Sequence, residues 1–184
     1  CEPRMLYENY KGESTKFTMC LELIETLKEN GKKVLLFSSF TSIFDSFIDE
    51  FNQRGIKYHM ITGAVDKKKR KEEVDAFQSD DSDVFLISLK AGGTVLNLTE
   101  AKALIHYDPW WNVSAQNQAT DRAYRIGQTK NVLVYQLLMK NTIEAKIYEM
   151  QKRKKEMSDI FVENSNGGIS TLSKEELRDL FAVV

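Results

Sequence analysis

The chain has 184 residues, of which 42% are hydrophobic and 29% are charged, and its formal net charge at pH 7 is −1. This composition is ordinary for a globular protein that buries a sizeable core, and the charge excludes a nucleic-acid binder that relies on overall positive charge. No apolar run is long enough to span a membrane, and two cysteines with two histidines suggest neither a disulfide framework nor a metal site. An intracellular, reducing compartment is therefore expected.

Helical and strand patterns alternate along the chain. Helices are predicted at 15–30, 42–54 and 66–78, where apolar residues recur three and four apart. Short continuous apolar runs predict buried strands at 34–37, 58–61, 84–88, 103–107 and 132–137. This alternation predicts an α/β fold, a parallel sheet with helices on both faces. Ligands bind beyond the carboxyl ends of strands in such sheets, so function is expected in the loops at 38–41, 62–63, 88–93 and 108–112.

A long amphipathic helix is predicted after the sheet, from Thr142 to about residue 161. Its apolar stripe contains Ile143, Ile147, Met150, Met157 and Ile160. A capping-box pattern of Ser173 with Glu176 then predicts a short last helix.

The segment QNQATDRAYRIGQ, residues 116–128, carries the most suggestive spacing. On a helix ended by Gly127, Arg122 and Arg125 project from the same face. Two guanidinium groups aimed in one direction suit a phosphate group, although the spacing alone is equally consistent with a solvated helix.

The remaining candidates are weaker. Gly92 and Gly93 let a backbone approach a phosphate, but neither G-x-x-x-x-G-K nor G-x-G-x-x-G is present, and a structural turn is favoured. Trp111 suits either stacking on nucleic acid or core packing. The basic runs at 67–71 and 152–155 favour solvated helix faces, and His59 and His106 favour core positions. No catalytic triad, paired carboxylates or metal set is evident, so an active site is not complete within this sequence.

Longer runs resemble one family, the SWI/SNF-type double-stranded-DNA translocases of helicase superfamily 2. The resemblance is to the second RecA-like lobe, with helicase motifs IV to VI in order over about 34–161. It is carried by VLLFSSFTSIFDSF (34–47), ITGAVDKKKRKEEVDAFQ (61–78), FLISLKAGGTVLNLTEAKALIHYDPWWN (85–112) and QATDRAYRIGQTKNVLVYQLLMKNTIEAKI (118–147).

The resemblance implies the domain organisation. Residues 1–13 would be a lead-in from the segment that joins two lobes, residues 14–141 the second RecA-like lobe, and residues 142–184 a C-terminal brace helix with a short helical tail. It also implies an ATP hydrolase in a longer parent. ATP with Mg²⁺ would be bound mainly by a first lobe of the same chain, the partner would be double-stranded DNA, and the 184 residues alone would be inactive.

The resemblance also implies roles for individual residues. Arg122 and Arg125 would be catalytic, reaching the ATP phosphates, with Arg125 as the arginine finger. The ATP-binding residues would be Gly93, Asn97 and Gln118. The DNA-binding residues would be Ser39, Phe40, Thr41, Gly63, Ser88, Lys90, Gly92 and Trp111.

The chain departs from the family pattern at four positions. Val95 and Ser39 stand where the family usually has glycine and glutamine, and Tyr124 and Val113 replace a common histidine and proline. A β-branched residue at 95 does not easily adopt the geometry that glycine permits.

Two further expectations concern source and class. The start at Cys1 suggests a fragment or a processed product. The short connections between elements favour a prokaryotic source and a DNA-associated cytoplasmic location. In a eukaryote the expected location is nuclear. The alternative function is a non-catalytic module that binds nucleic acid or a protein and keeps the arginine helix only for structure. An RNA helicase lobe is disfavoured by D-P-W-W-N and R-I-G-Q.

Overall fold

A computed structural model of the chain describes residues 14–63, 65–88, 98–109 and 132–163, with their side chains except those of 154, 155 and 157–163. The chain forms two compact units, Cys1–Tyr148 and Glu149–Val184. The first contains the sheet, and the described part of the second is helical.

The described part of the first unit is built on a parallel five-stranded sheet in the order β2-β3-β1-β4-β5. The strands are β1 (Lys33–Ser38), β2 (Tyr58–Ile61), β3 (Val84–Ser88), β4 (Ala101–His106) and β5 (Leu133–Gln136). The helices are α1 (Thr15–Glu29), α2 (Ser42–Arg54), α3 (Lys67–Ser79) and α4 (Ile143–Glu163), which continues into the second unit. The predicted α/β class, the parallel sheet and the order of these elements are confirmed.

The central strands are buried on both faces, as their continuous apolar runs predicted. Val34 and Leu36 of β1 pack in one hydrophobic cluster with residues of α1 and α2, including Phe47. Leu35 and Phe37 belong to a second cluster that includes residues of α3. Because successive strand residues point to opposite faces, this division places helices on both sides of the sheet.

Helix ends follow local chemistry. The Ser14 hydroxyl accepts a hydrogen bond from the Phe17 N–H at 3.4 Å. An Asp66 carboxylate oxygen accepts hydrogen bonds from the backbone N–H groups of Lys68 and Lys69 at 2.8 and 2.9 Å. Gly55 ends α2 with a φ of 62°, a left-handed conformation that glycine adopts without strain. The sequence-predicted boundaries of these helices therefore lie close to the observed ones.

Two side chains lie elsewhere than predicted. Ile143 is 57% exposed, because it occupies the first turn of α4 ahead of the residues that pack inward, such as Ile147. His59 is not a core residue, since β2 is an edge strand and its ring lies between two carboxylates. The expectation for His106, which is 1% exposed, is confirmed.

His59 links β2 to α3 through charge. Its Nδ1 lies 2.7 Å from Glu73 and its Nε2 lies 2.7 Å from Asp80. Burial lowers the pKa of His59, but the hydrogen bonds to Asp80 and Glu73 outweigh burial and leave that pKa raised. Burial likewise raises the pKa of Asp80, but hydrogen bonds from Ser82 and His59 hold it well below its usual range.

These shifts predict a pH window for stability. The contribution of His59 to the free energy of unfolding is full below its ordinary pKa of 6.5 and is lost as pH rises through the raised pKa. The contribution of Asp80 is present above its ordinary pKa of 3.8 and is lost as pH falls through the lowered pKa. Because the cluster is partly solvated, we expect His59→Gln to remove about 0.5–1 kcal/mol of unfolding free energy at pH 6 and little at pH 9. Urea denaturation at both pH values measures this. The exposed Glu29→Gln is the control, and an equal loss at both pH values for His59→Gln would contradict the ionic interpretation.

A buried ion pair joins α1 to the start of α4. The Lys16 ammonium lies 2.8 Å from both oxygens of Glu144, and the side chains are 4% and 8% exposed. Glu144 also accepts the Met139 N–H at 3.0 Å, and the Lys16 ammonium lies 4.7 Å from the centre of the Tyr107 ring. These contacts satisfy two charges that would be costly to bury alone.

Replacing one member of this pair should lower the free energy of unfolding more than replacing both members. Lys16→Met leaves the Glu144 carboxylate buried without its cation, and we expect a loss of about 3 kcal/mol in unfolding free energy. Adding Glu144→Gln keeps an acceptor for the Met139 N–H and should return stability to within about 1 kcal/mol of the original chain. Urea unfolding of both single variants and the double variant measures the coupling, and strictly additive losses would refute it.

Candidate functional site

The carboxyl ends of the strands meet at one edge of the sheet. Ser38 ends β1 and lies in register beside Ser88, which ends β3, while Gly63 follows the end of the next strand, β2. Both serines are buried, at 0% and 1% exposure. The structure therefore brings together the predicted residues of three separate loops at the edge where parallel sheets bind ligands.

The loop after β1 presents an aromatic ring to solvent. Phe40 is 59% exposed, whereas the neighbouring aromatic Phe44 is 1% exposed in the core. Thr41 is also exposed and immediately precedes α2, so the amino end of that helix lies at the same edge. A helix amino end carries partial positive charge, which favours anionic groups nearby.

A buried carboxylate holds this loop. Asp108, 7% exposed, accepts the Ser38 hydroxyl with one oxygen and the Ser39 N–H with the other, each at 2.7 Å. The Ser38 hydroxyl oxygen also accepts the Phe40 N–H at 3.1 Å and lies 3.2 Å from the Phe40 carbonyl oxygen. The last residue of β1 and the residue after it are thus bonded directly to Asp108, and Phe40 is connected to it through the Ser38 hydroxyl. Hydrogen bonds to a carboxylate are stronger than neutral ones.

The residues before Asp108 are fixed by packing. The Tyr107 N–H donates to the Phe37 carbonyl at 2.9 Å, and its ring packs edge-on against Phe47 with centroids 5.3 Å apart. Burial lowers the pKa of His106 to about 4, so its ring is neutral at pH 7. The ring lies 5.6 Å from that of Phe37. Asp108 therefore extends from a rigid strand end.

The predicted site residues divide into two groups. Ser39, Phe40, Thr41, Gly63 and Ser88 lie at or next to the strand-end edge. The others lie outside the described residues, as do the lead-in at 1–13, the arginine helix and the last short helix: Lys90, Gly92, Gly93, Asn97, Trp111, Gln118, Arg122 and Arg125.

Asp108 and Ser38 lie in two of the loops predicted from the sequence, but neither residue was assigned a role. The signal available was a carboxylate directly after an apolar run and before Pro109, a position that the following proline restricts to extended conformations. The serine that it contacts lies 70 residues away and becomes adjacent only because β4 pairs with β1. The departure at Ser39 does not disturb this contact, since the backbone N–H makes it and any residue except proline has one.

The described residues contain neither a metal-binding cluster nor a membrane-spanning helix. No group of three or more histidine, cysteine, aspartate or glutamate side chains there is arranged to hold a metal ion. None of the helices in that part of the chain has both the length and the apolar character to cross a membrane.

Comparison with known proteins identifies the family. Residues 15–127 match the model of the helicase conserved C-terminal domain. The chain belongs to this family. Its resemblance to the second RecA-like lobe of SWI/SNF-type ATPases is confirmed by relatives that include a chromatin-remodelling ATPase and a lymphoid-specific helicase.

Two relatives and one solved structure show the extent of the similarity. An uncharacterised ATP-dependent helicase of Mycoplasma pneumoniae is 43% identical over 91% of this chain, and the human lymphoid-specific helicase is 37% identical over 90%. The chain spans 16% and 20% of the lengths of those two relatives. The crystal structure of the C-terminal part of the Fun30 ATPase domain has a TM-score of 0.71 and 34% identity, covering 74% of this chain and 45% of that one. The RecA-like lobe predicted from the sequence is therefore confirmed.

Proposed function

We propose that this helicase C-terminal domain is the second lobe of an ATP-dependent double-stranded-DNA translocase. The observation that carries the proposal is the strand-end edge, where a buried aspartate holds an exposed aromatic loop beside Ser88 and Gly63. Such an edge is preorganised for a ligand that approaches from outside the sheet. The names of the relatives support ATP use, since they are ATP-dependent helicases.

The DNA backbone is the ligand proposed for the described part of this edge. Ser39, Phe40 and Thr41 contact it from the loop after β1, near the amino end of α2, which suits phosphates. A Cβ added at Gly63 would meet no atom within 4 Å, so this position leaves room for a close backbone approach. Lys90, Gly92 and Trp111 complete the proposed surface. Ser88, which is 1% exposed, is too buried to contact DNA directly.

ATP is proposed to bind between this lobe and a first lobe, which holds most of the Mg²⁺ and phosphate contacts. Arg122 and Arg125 neutralise the charge that develops on the transferred phosphate, and Gly93, Asn97 and Gln118 line the nucleotide side of the cleft. Arginine suits this role because its planar, permanently charged fork binds phosphate oxygens in pairs. Hydrolysis then opens and closes the cleft as the two lobes step along one strand of the duplex.

Replacement of the proposed finger tests the catalytic part. In a polypeptide that carries both lobes, we expect Arg125→Ala to lower duplex-stimulated ATP hydrolysis by about 10³–10⁵, the range measured for arginine fingers. Arg153→Ala, which removes an exposed arginine of α4, is the matched control and should hydrolyse normally. The 184-residue chain alone should not hydrolyse ATP. Turnover by this chain would contradict the need for a first lobe, and an Arg125→Ala variant that remains fully active would contradict the finger role. A two-lobe polypeptide whose ATP hydrolysis is not stimulated by duplex DNA would favour the alternative of a non-catalytic binding module.

Replacement of the exposed ring tests the DNA part. We expect Phe40→Ala to raise the duplex concentration needed for half-maximal stimulation about fivefold, because about 1 kcal/mol of apolar contact is lost. Met19→Ala, which truncates an apolar side chain of α1 that is 56% exposed, is the control. The assay compares duplex DNA with single strands and RNA. Equal stimulation by all three would refute the duplex specificity.

A further inference from the structure

We propose that Asp108 is a positioning residue that sets the geometry of the DNA-contacting loop at 39–41, a role that rests on the proposed function. It would act through Ser38 and Ser39 without touching DNA, since it is 7% exposed and both of its oxygens face the loop. A single buried carboxylate thereby determines where Phe40 is presented.

Hydrogen bonds from two parts of the loop converge on Asp108. One oxygen accepts a backbone N–H and the other accepts a hydroxyl whose oxygen in turn accepts the Phe40 N–H. Without the carboxylate, the Ser39 N–H would lose its partner in a half-buried position, which carries a large free-energy penalty. The loop would then move to reach water or another acceptor, and Phe40 would move with it.

The residues on either side of Asp108 are held firmly. Pro109 is buried and restricts the backbone of Asp108, and Tyr107 before it is fixed to β1 and to Phe47. Because the support cannot easily shift, the position of the loop is defined by the two 2.7 Å contacts. A site held in this way needs no rearrangement when a ligand binds.

The position of Asp108 in the chain relates it to both proposed sites. It opens the segment that leads to Trp111 and on to Arg122 and Arg125, the residues proposed for DNA and nucleotide. A direct bond from this segment to the loop after β1 gives the two proposed functions a shared structural element. A shift at the end of β4 would therefore change the loop that contacts DNA.

Two substitutions of similar size separate hydrogen bonding from packing. In Asp108→Asn, the amide oxygen can accept the Ser39 N–H, while the amide nitrogen donates to the Ser38 oxygen and the Ser38 hydroxyl donates to the Phe40 carbonyl. Asp108→Leu fills the space but offers no acceptor. Val74→Ala, which truncates a buried side chain of α3, is the control for lost stability without a change at this edge.

The structural measurement is amide hydrogen exchange of Ser39 and Phe40 in the 184-residue chain. We expect Asp108→Leu to accelerate exchange of the Ser39 amide about tenfold or more, and Asp108→Asn to restore most of the protection. Val74→Ala should leave the ratio of Ser39 exchange to that of core amides unchanged. Unaltered Ser39 exchange in Asp108→Leu would overturn the role of Asp108 whatever the protein does with DNA.

The functional measurement is duplex-stimulated ATP hydrolysis by the polypeptide with both lobes. We expect Asp108→Leu to raise the half-maximal duplex concentration about tenfold while kcat at saturating duplex changes less than about twofold, with rescue by Asp108→Asn. If Asp108→Leu accelerates Ser39 amide exchange but leaves the half-maximal duplex concentration unchanged, the positioning role is refuted. No duplex stimulation in the unsubstituted polypeptide would instead refute the proposed function, and the exchange data would still show whether Asp108 holds the loop.

Discussion

The parallel pairing of β1 with both β3 and β4 is the constraint on which the described structure depends. It buries β1 completely from Val34 to Ser38 and brings the ends of three strands to one edge. Because backbone groups are satisfied along both sides of β1, its end is well defined, and the loop that follows can be held by few contacts. Asp108 supplies two of them.

Three polar clusters of the described residues have different structural roles. Near the carboxyl ends, a buried carboxylate binds a hydroxyl and a backbone N–H and so sets the position of a loop. The pair of Lys16 and Glu144 instead joins helix ends around Tyr107, the residue next to Asp108. The His59 cluster lies on the edge strand β2 and is partly solvated, so its contribution is smaller and depends on pH. Position and burial, more than charge, determine the importance of each interaction.

Family membership and the proposed function rest on different kinds of observation. The family follows from a domain match and from relatives at 37–43% identity, and the parallel sheet agrees with it. The roles of Arg122, Arg125 and the DNA-contacting residues are proposals drawn from the resemblance and from the geometry of the edge. Since this chain spans 16% and 20% of the lengths of two of these relatives, the activity of a whole protein and the presence of a facing first lobe belong to the proposal.

Local patterns in the sequence were sufficient for the α/β class, the strands and the ends of the helices, because hydrophobic periodicity, Asp66 as a cap and Gly55 as a terminator act over a few residues. They also located the edge, since any parallel sheet brings its strand ends together. Tertiary pairing was needed for the partners of Asp108, Lys16 and His59. Lys16 and Glu144 are 128 positions apart and Ser38 and Asp108 are 70 apart, so no local pattern connects them. The edge position of β2, which places His59 outside the core, likewise depends on strand order, which hydrophobic periodicity does not encode.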